Sequence, residues 1–172
     1  MTIPKTAFNA CIGKITDVKA DALITMINSE EQWFSRADWA IRESSGVMFH
    51  SVAAEAMPLA DGQIIYAPAT DDHNGRFNAV IFVVDDLLTP LYNLVVEALL
   101  EAERGGLRSV SIAPPRTDCK LDDFEIKATA VRSLSRAVRY FAQRGSCIER
   151  IDVVFPEDLD DRVRLLHAFV TA

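Results

Sequence analysis

The chain has 172 residues, 49% of them apolar, with 7 glycines and 7 prolines, which suits a single domain over residues 1–172 and excludes a low-complexity or repeat protein. Its formal charge is −7, from 18 basic against 25 acidic residues, so general nucleic-acid binding is disfavoured, although a local basic patch can still hold a small anion. The three cysteines, Cys11, Cys119 and Cys147, are scattered and form no CxxC pair, and the apolar runs are too short to cross a bilayer; a soluble, cytoplasmic protein with free thiols and no membrane contact is expected.

In chain order, the first strand is expected at 6–12 and the second at 22–27, "ALITMI", which stops at Asn28. A helix follows, with Ala37, Ala40, Ile41, Ser44 and Met48 at helical spacing and Gly46 placed to end or bend it. Ser35 with Asp38 three residues later has the pattern of a capping box at its start. Strands at 63–67 and 79–84 flank "DDHNGR", whose Asn74-Gly75 is a turn signal that makes this pair antiparallel. A helix at 90–104 puts Leu91, Leu94, Val95, Ala98, Leu99 and Ala102 on one face, between Thr89-Pro90 and Gly105-Gly106. A strand at 109–113 leads to a helix at 122–143 with Ile126, Ala130, Leu134, Val138 and Phe141 inward. The last strand, 150–155, precedes a helix at 158–170 on Leu159, Val163, Leu166 and Val170.

Continuous apolar strands such as "AVIFVV" are those that helices cover on both faces. The alternation therefore predicts an α/β fold, a three-layer α-β-α sandwich on a six-stranded, mixed but mostly parallel sheet. Ligands of such folds bind beyond the carboxyl ends of the central strands, which selects the loops Ser29–Ala37 and Pro114–Asp122.

Other clusters are better explained structurally. Asp71, Asp72 and His73 are adjacent in a turn, where three neighbours rarely converge on one metal ion, so no metal is expected. His50 and His167 read as packed or surface imidazoles, and no GxSxG or HExxH pattern accompanies them. Glu157, Asp158, Asp160 and Asp161 suit the dipole of the last helix. Cys119 lies between Arg116 and Lys120, cations that lower a thiol pKa. Asn28 and Asp38, at opposite ends of one loop, can converge on a sugar hydroxyl or a water, or serve as a turn residue and a helix-start acid.

Nearly the whole chain, from Gly13 to about Phe169, resembles a macro domain. "GKIT" at Gly13–Thr16 is similar to the family's GDIT, "ADALITMINS" to VDAIVNAANS, "ADWAI" to VDGAI and "GLRSVSIAPPRT" to GLKSIAFPAIST. Asn28 then falls on the ribose-binding Asn that ends NAAN, and Asp38 follows it at the spacing of the macro domains that remove ADP-ribose. The resemblance implies ADP-ribose or a related phosphorylated nucleotide as ligand, with no cofactor or metal. Asn28 would hold the distal ribose, and Asp38 would orient or activate the attacking water.

The ligand loops depart from that pattern. Four glycines of the first loop fall on Trp33, Phe34, Ser35 and Arg36, whose side chains would enter the volume of the diphosphate or redirect the loop. The second loop's GxYG region falls after Thr117 on Asp118, Cys119, Lys120 and Leu121, and Asp118 would repel a diphosphate. Lys14 replaces the adenine-selecting Asp, and Thr25 the first Asn of NAAN. Lys14, Arg36, Arg116 and Lys120 either rebuild an anion site through side chains or are ordinary surface charges. Two functions are consistent with these residues: a weak binder of ADP-ribose or a related nucleotide with at most residual de-ADP-ribosylation, or a protein-interaction module in which Trp33, Phe34 and Trp39 fill the pocket or form a contact surface.

Overall fold

A computed structural model describes residues 5–30, 35–118 and 123–172. Among the described residues, six strands form one sheet: β1 (Ala7–Ile12), β2 (Ala22–Ile27), β3 (Ile64–Pro68), β4 (Ala79–Val84), β5 (Ser109–Ile112) and β6 (Arg150–Phe155). The order is β1-β6-β5-β2-β4-β3, and every pairing is parallel except β3 with β4. The Asn74-Gly75 turn therefore joins an antiparallel pair, as its sequence predicts. The helices are α1 (Arg36–Ser45), α2 (Met48–Glu55), α3 (Leu91–Arg104), α4 (Phe124–Arg144) and α5 (Arg162–Val170).

Strand β4 shows why its sequence is apolar throughout. Ala79, Ile81 and Val83 join the core under α3, α4 and α5, while Val80, Phe82 and Val84 join the opposite core with Ile41, Phe49 and Ala53 of α1 and α2. All six residues are buried because side chains alternate between faces and both faces are covered. Helix α3 buries the six residues that its periodicity selects. Gly46, with φ +63°, ends α1, and α2 resumes at Met48.

Three expectations about helices need correction. Ile126 is 46% exposed rather than inward, because it sits in the first turn of α4, ahead of the packed stretch from Lys127 onward. The last helix begins at Arg162, not 158, so the acidic residues precede its first turn; Asp161 adopts a left-handed φ of 58° there. That helix buries Leu165 and Phe169, whereas Val163 and Val170 face outward. Contacts with α4 set this phase: Ser135 Oγ donates to the Phe169 carbonyl at 2.7 Å, and Arg139 Nη2 to that of Val170 at 2.8 Å. Among the described residues, no helix is long and apolar enough to cross a membrane.

The topology fixes where a ligand can sit. After β2 the chain moves to the layer of α1 and α2, and after β5 it moves to the layer of α4. The two strands are neighbours whose connections leave on opposite faces, so a crevice opens beyond their carboxyl ends.

Candidate functional site

A cavity of about 690 Å³ fills that crevice, lined by the ends of β2, β4 and β5 and by the start of α1. Asn28 stands at its β2 wall, with Oδ1 accepting the Glu30 N–H at 3.1 Å, a local turn that fixes the side chain. The Ser29 N–H donates to Asp86 Oδ1 at 2.9 Å, and the Asp85 N–H to the Ile27 carbonyl at 2.7 Å, so the ends of β2 and β4 are tied together. Asp86 in turn donates its N–H to Asp61 Oδ1 at 2.7 Å. The Thr89 hydroxyl donates to Asp61 Oδ2 at 2.6 Å, and this bond, with the Asp86 N–H, holds the Asp61 carboxyl below its ordinary pKa.

The capping box at the start of α1 is formed. Ser35 Oγ accepts the Asp38 N–H at 3.0 Å, and Asp38 Oδ2 accepts the Ser35 N–H at 3.3 Å and the Ser35 hydroxyl at 2.6 Å. Asp38 is only 2% exposed, and its Oδ1 lies 3.6 Å from Nε2 of the equally buried His50. His50 packs against Phe82 with ring centroids 5.1 Å apart and the rings tilted by 56°, so the histidine is packed, and packed beside the candidate catalytic acid. His167 is a surface residue, and His73 contacts Phe49 and Phe77 while accepting the Gly75 N–H.

Of the cations proposed for an anion site, Lys14, Arg36 and Arg116 are among the described residues, and these three meet carboxylates. Arg116 places Nε and Nη2 on Asp85 at 2.8 and 2.7 Å, a two-point pair, and also donates to the Thr89 carbonyl. Lys14 lies 3.0 Å from Glu43, whose hydrogen bond raises the Lys14 pKa. Arg36 bonds Asp118 through Nη1 and lies 3.1 Å from Asp158 through Nε. Burial works against the Arg36 charge, but these two carboxylates outweigh it and raise its pKa. Asp118 Oδ2 also accepts the Arg36 backbone N–H at 3.0 Å. Thr117 is buried and donates to the Pro114 carbonyl at 2.7 Å, shaping the turn below Asp118 rather than presenting a hydroxyl to the cavity.

The structure thus brings Asn28, Ser35, Asp38, Arg116 and Asp118 to one cavity. Lys14, Arg36, Trp39, Pro156 and Asp158 line a second cavity of about 400 Å³. Trp33, Phe34, Cys119, Lys120 and Leu121 lie outside the described residues. Sequence reasoning missed Asp85 and Asp86, although two carboxylates directly after the buried run "AVIFVV" are a readable signal at a strand's carboxyl end. It also missed the approach of His50 to Asp38, which only tertiary packing creates.

No protein-family model matches the sequence, and no curated protein matches it either. Solved structures do match. A point mutant of the Oceanobacillus iheyensis macrodomain, solved with ADPR, superposes with a TM-score of 0.74 at 16% identity, covering 99% of this chain and 94% of that one. The Trypanosoma brucei macrodomain in complex with ADP-ribose gives a TM-score of 0.73 at 17% identity, covering 95% of this chain and 68% of that one. The macro domain of ganglioside-induced differentiation-associated protein 2 gives a TM-score of 0.71 at 13% identity, covering 94% and 83%. Strand order, crevice and these superpositions agree: the chain has the macrodomain fold.

Proposed function

We propose that the crevice beyond β2 and β5 binds ADP-ribose or a related phosphorylated nucleotide weakly, in a reducing, cytoplasmic setting that suits the exposed thiols of Cys11 and Cys147. The observation that carries this reading is the start of α1, where the backbone N–H and the guanidinium of Arg36 converge on one carboxylate beside Asn28's cavity. An N–H at a helix start and a guanidinium are the donors that a phosphate uses. Affinity is weak because Lys14, Arg36 and Arg116 already have acidic partners that a ligand must displace or tolerate.

Hydrolysis of an ADP-ribosyl ester is at most residual. Asp38 would have to orient the water, yet Oδ2 already accepts twice from Ser35 and Oδ1 faces His50. Calorimetric titration with ADP-ribose, with AMP and ribose 5-phosphate as controls, is expected to give saturable binding with a Kd on the order of 0.1–1 mM that needs the whole ligand. Asn28→Ala should abolish that heat while leaving the melting temperature nearly unchanged. Absence of heat at millimolar ligand would sink the proposal.

A second reading has its own observation. Trp39 is 60% exposed beside the second cavity, and Leu87 and Leu88 stand exposed near the first, an apolar rim suited to a protein partner. Intrinsic tryptophan fluorescence separates the two: quenching by ADP-ribose favours the binder, and a shift only with a protein partner favours the interaction module.

A further inference from the structure

Two cavities flank one ion pair. Ala37 and Ala113 line both; Ser35 and Asp118 belong to the larger, Arg36 and Asp158 to the smaller. The Arg36–Asp118 contact stands between them and joins the start of α1 to the segment after β5. Arg36 offers Asp118 two donors at once, the N–H of the first residue of α1 and the Nη1 of its guanidinium. The backbone donor has no partner inside the helix, as is general for first-turn N–H groups. A carboxylate held in this way by a helix start and a guanidinium is an anion in a receptor.

We infer that the Arg36–Asp118 contact is an autoinhibitory latch, in which the chain's own carboxylate occupies the place of a ligand's phosphate groups and closes the passage between the two cavities. The inference rests on the nucleotide-binding reading above and adds the regulation of that site. A ligand with a nucleoside at one end, a sugar at the other and an anionic link between them fits two chambers with a central pair of donors. To bind, its phosphates must take both Arg36 donors from Asp118. The displaced carboxylate then remains close to them as a repulsive neighbour. Arg36 and Asp118 side chains retain 32% and 28% of their exposure, so water reaches the pair and the exchange needs no buried charge to be stranded.

The test is calorimetric titration of the wild type, Asp118→Asn and Asp118→Ser with ADP-ribose, inorganic pyrophosphate and adenosine. Both variants should bind ADP-ribose at least tenfold more tightly and gain measurable affinity for pyrophosphate, while adenosine binding stays as in the wild type. Adding Arg36→Ala to Asp118→Asn should cancel the gain, because the guanidinium is the donor that the phosphate inherits. Equal or weaker ADP-ribose binding by variants that melt like the wild type would overturn the latch and leave the binding reading standing. So would a parallel gain for adenosine, which marks general loosening, or a large fall in melting temperature in both variants, which marks a structural tie. No binding of ADP-ribose by any of the proteins at millimolar concentration would overturn both readings.

Discussion

Among the described residues, the Asp38 carboxylate accepts from Ser35 at the mouth of α1 and faces His50 in the core behind it. Removing it leaves the Ser35 N–H and hydroxyl without their acceptor and deletes half of a capping box. Asp38→Ala should therefore cost about 2 kcal/mol in urea unfolding, combining the cap and the stranded donors. Unchanged stability would mean that the residue is held for chemistry alone. Ser35 and Asp38 were legible in the sequence because capping acts over three positions, within one turn of helix. The partners of Lys14, Arg36 and Arg116 were not: Asp118 stands 82 positions from Arg36, and Asp85 stands 31 from Arg116. A charge in a sequence shows that an anion can be held, and only the fold shows that the protein's own carboxylates hold it.

Among the elements, α3 and β4 were fully readable, since one has a clean 3.6-residue period between a Pro start and a Gly-Gly end and the other an unbroken apolar run. Periodicity alone selects the wrong face of helix α5. Its sequence, "RVRLLHAFV", offers apolar residues on several sides, and the anchors from Ser135 and Arg139 on α4 choose among them. That choice is measurable. Phe169→Ala should destabilise the protein by about 3–5 kcal/mol, as loss of a buried aromatic ring does, whereas Val163→Ala should stay within about 0.5 kcal/mol. Similar losses at both sites would restore the face that periodicity alone suggests. The start of α5 lies later than the pattern suggests for a related reason: Leu159 is buried in the main core and Asp158 lies against Arg36, so the segment makes tertiary contacts before the helix begins.

For the molecule as a whole, the stitching of distant segments governs acid sensitivity. Asp21, just before β2, accepts the N–H groups of Arg108 and Ser109, each at 2.8 Å. Burial works against its charge, but these donors outweigh it and hold the carboxyl below its ordinary pKa. A depressed folded pKa stabilises above the unfolded value of about 3.9, and that contribution is lost as pH falls through the lower folded value. Asp21→Asn should thus melt lower than the wild type at pH 7, by about 1 kcal/mol once solvent screening is allowed for, with the gap closing below about pH 4. Melting curves that stay parallel from pH 7 to pH 3 would remove Asp21 from the account. The same long-range tying bears on how the site is made. Arg36 reaches Asp118 across 82 positions and the Asp158 carbonyl across 122, so no local stretch of chain holds the cleft's central cation with its partners. Closing loops of that length follows the assembly of the sheet that brings their ends together. During synthesis the second chamber is accordingly among the last features completed: a nascent chain that has not yet emitted β6 holds every residue that lines the larger cavity, but neither the Asp158 contact nor a finished second chamber.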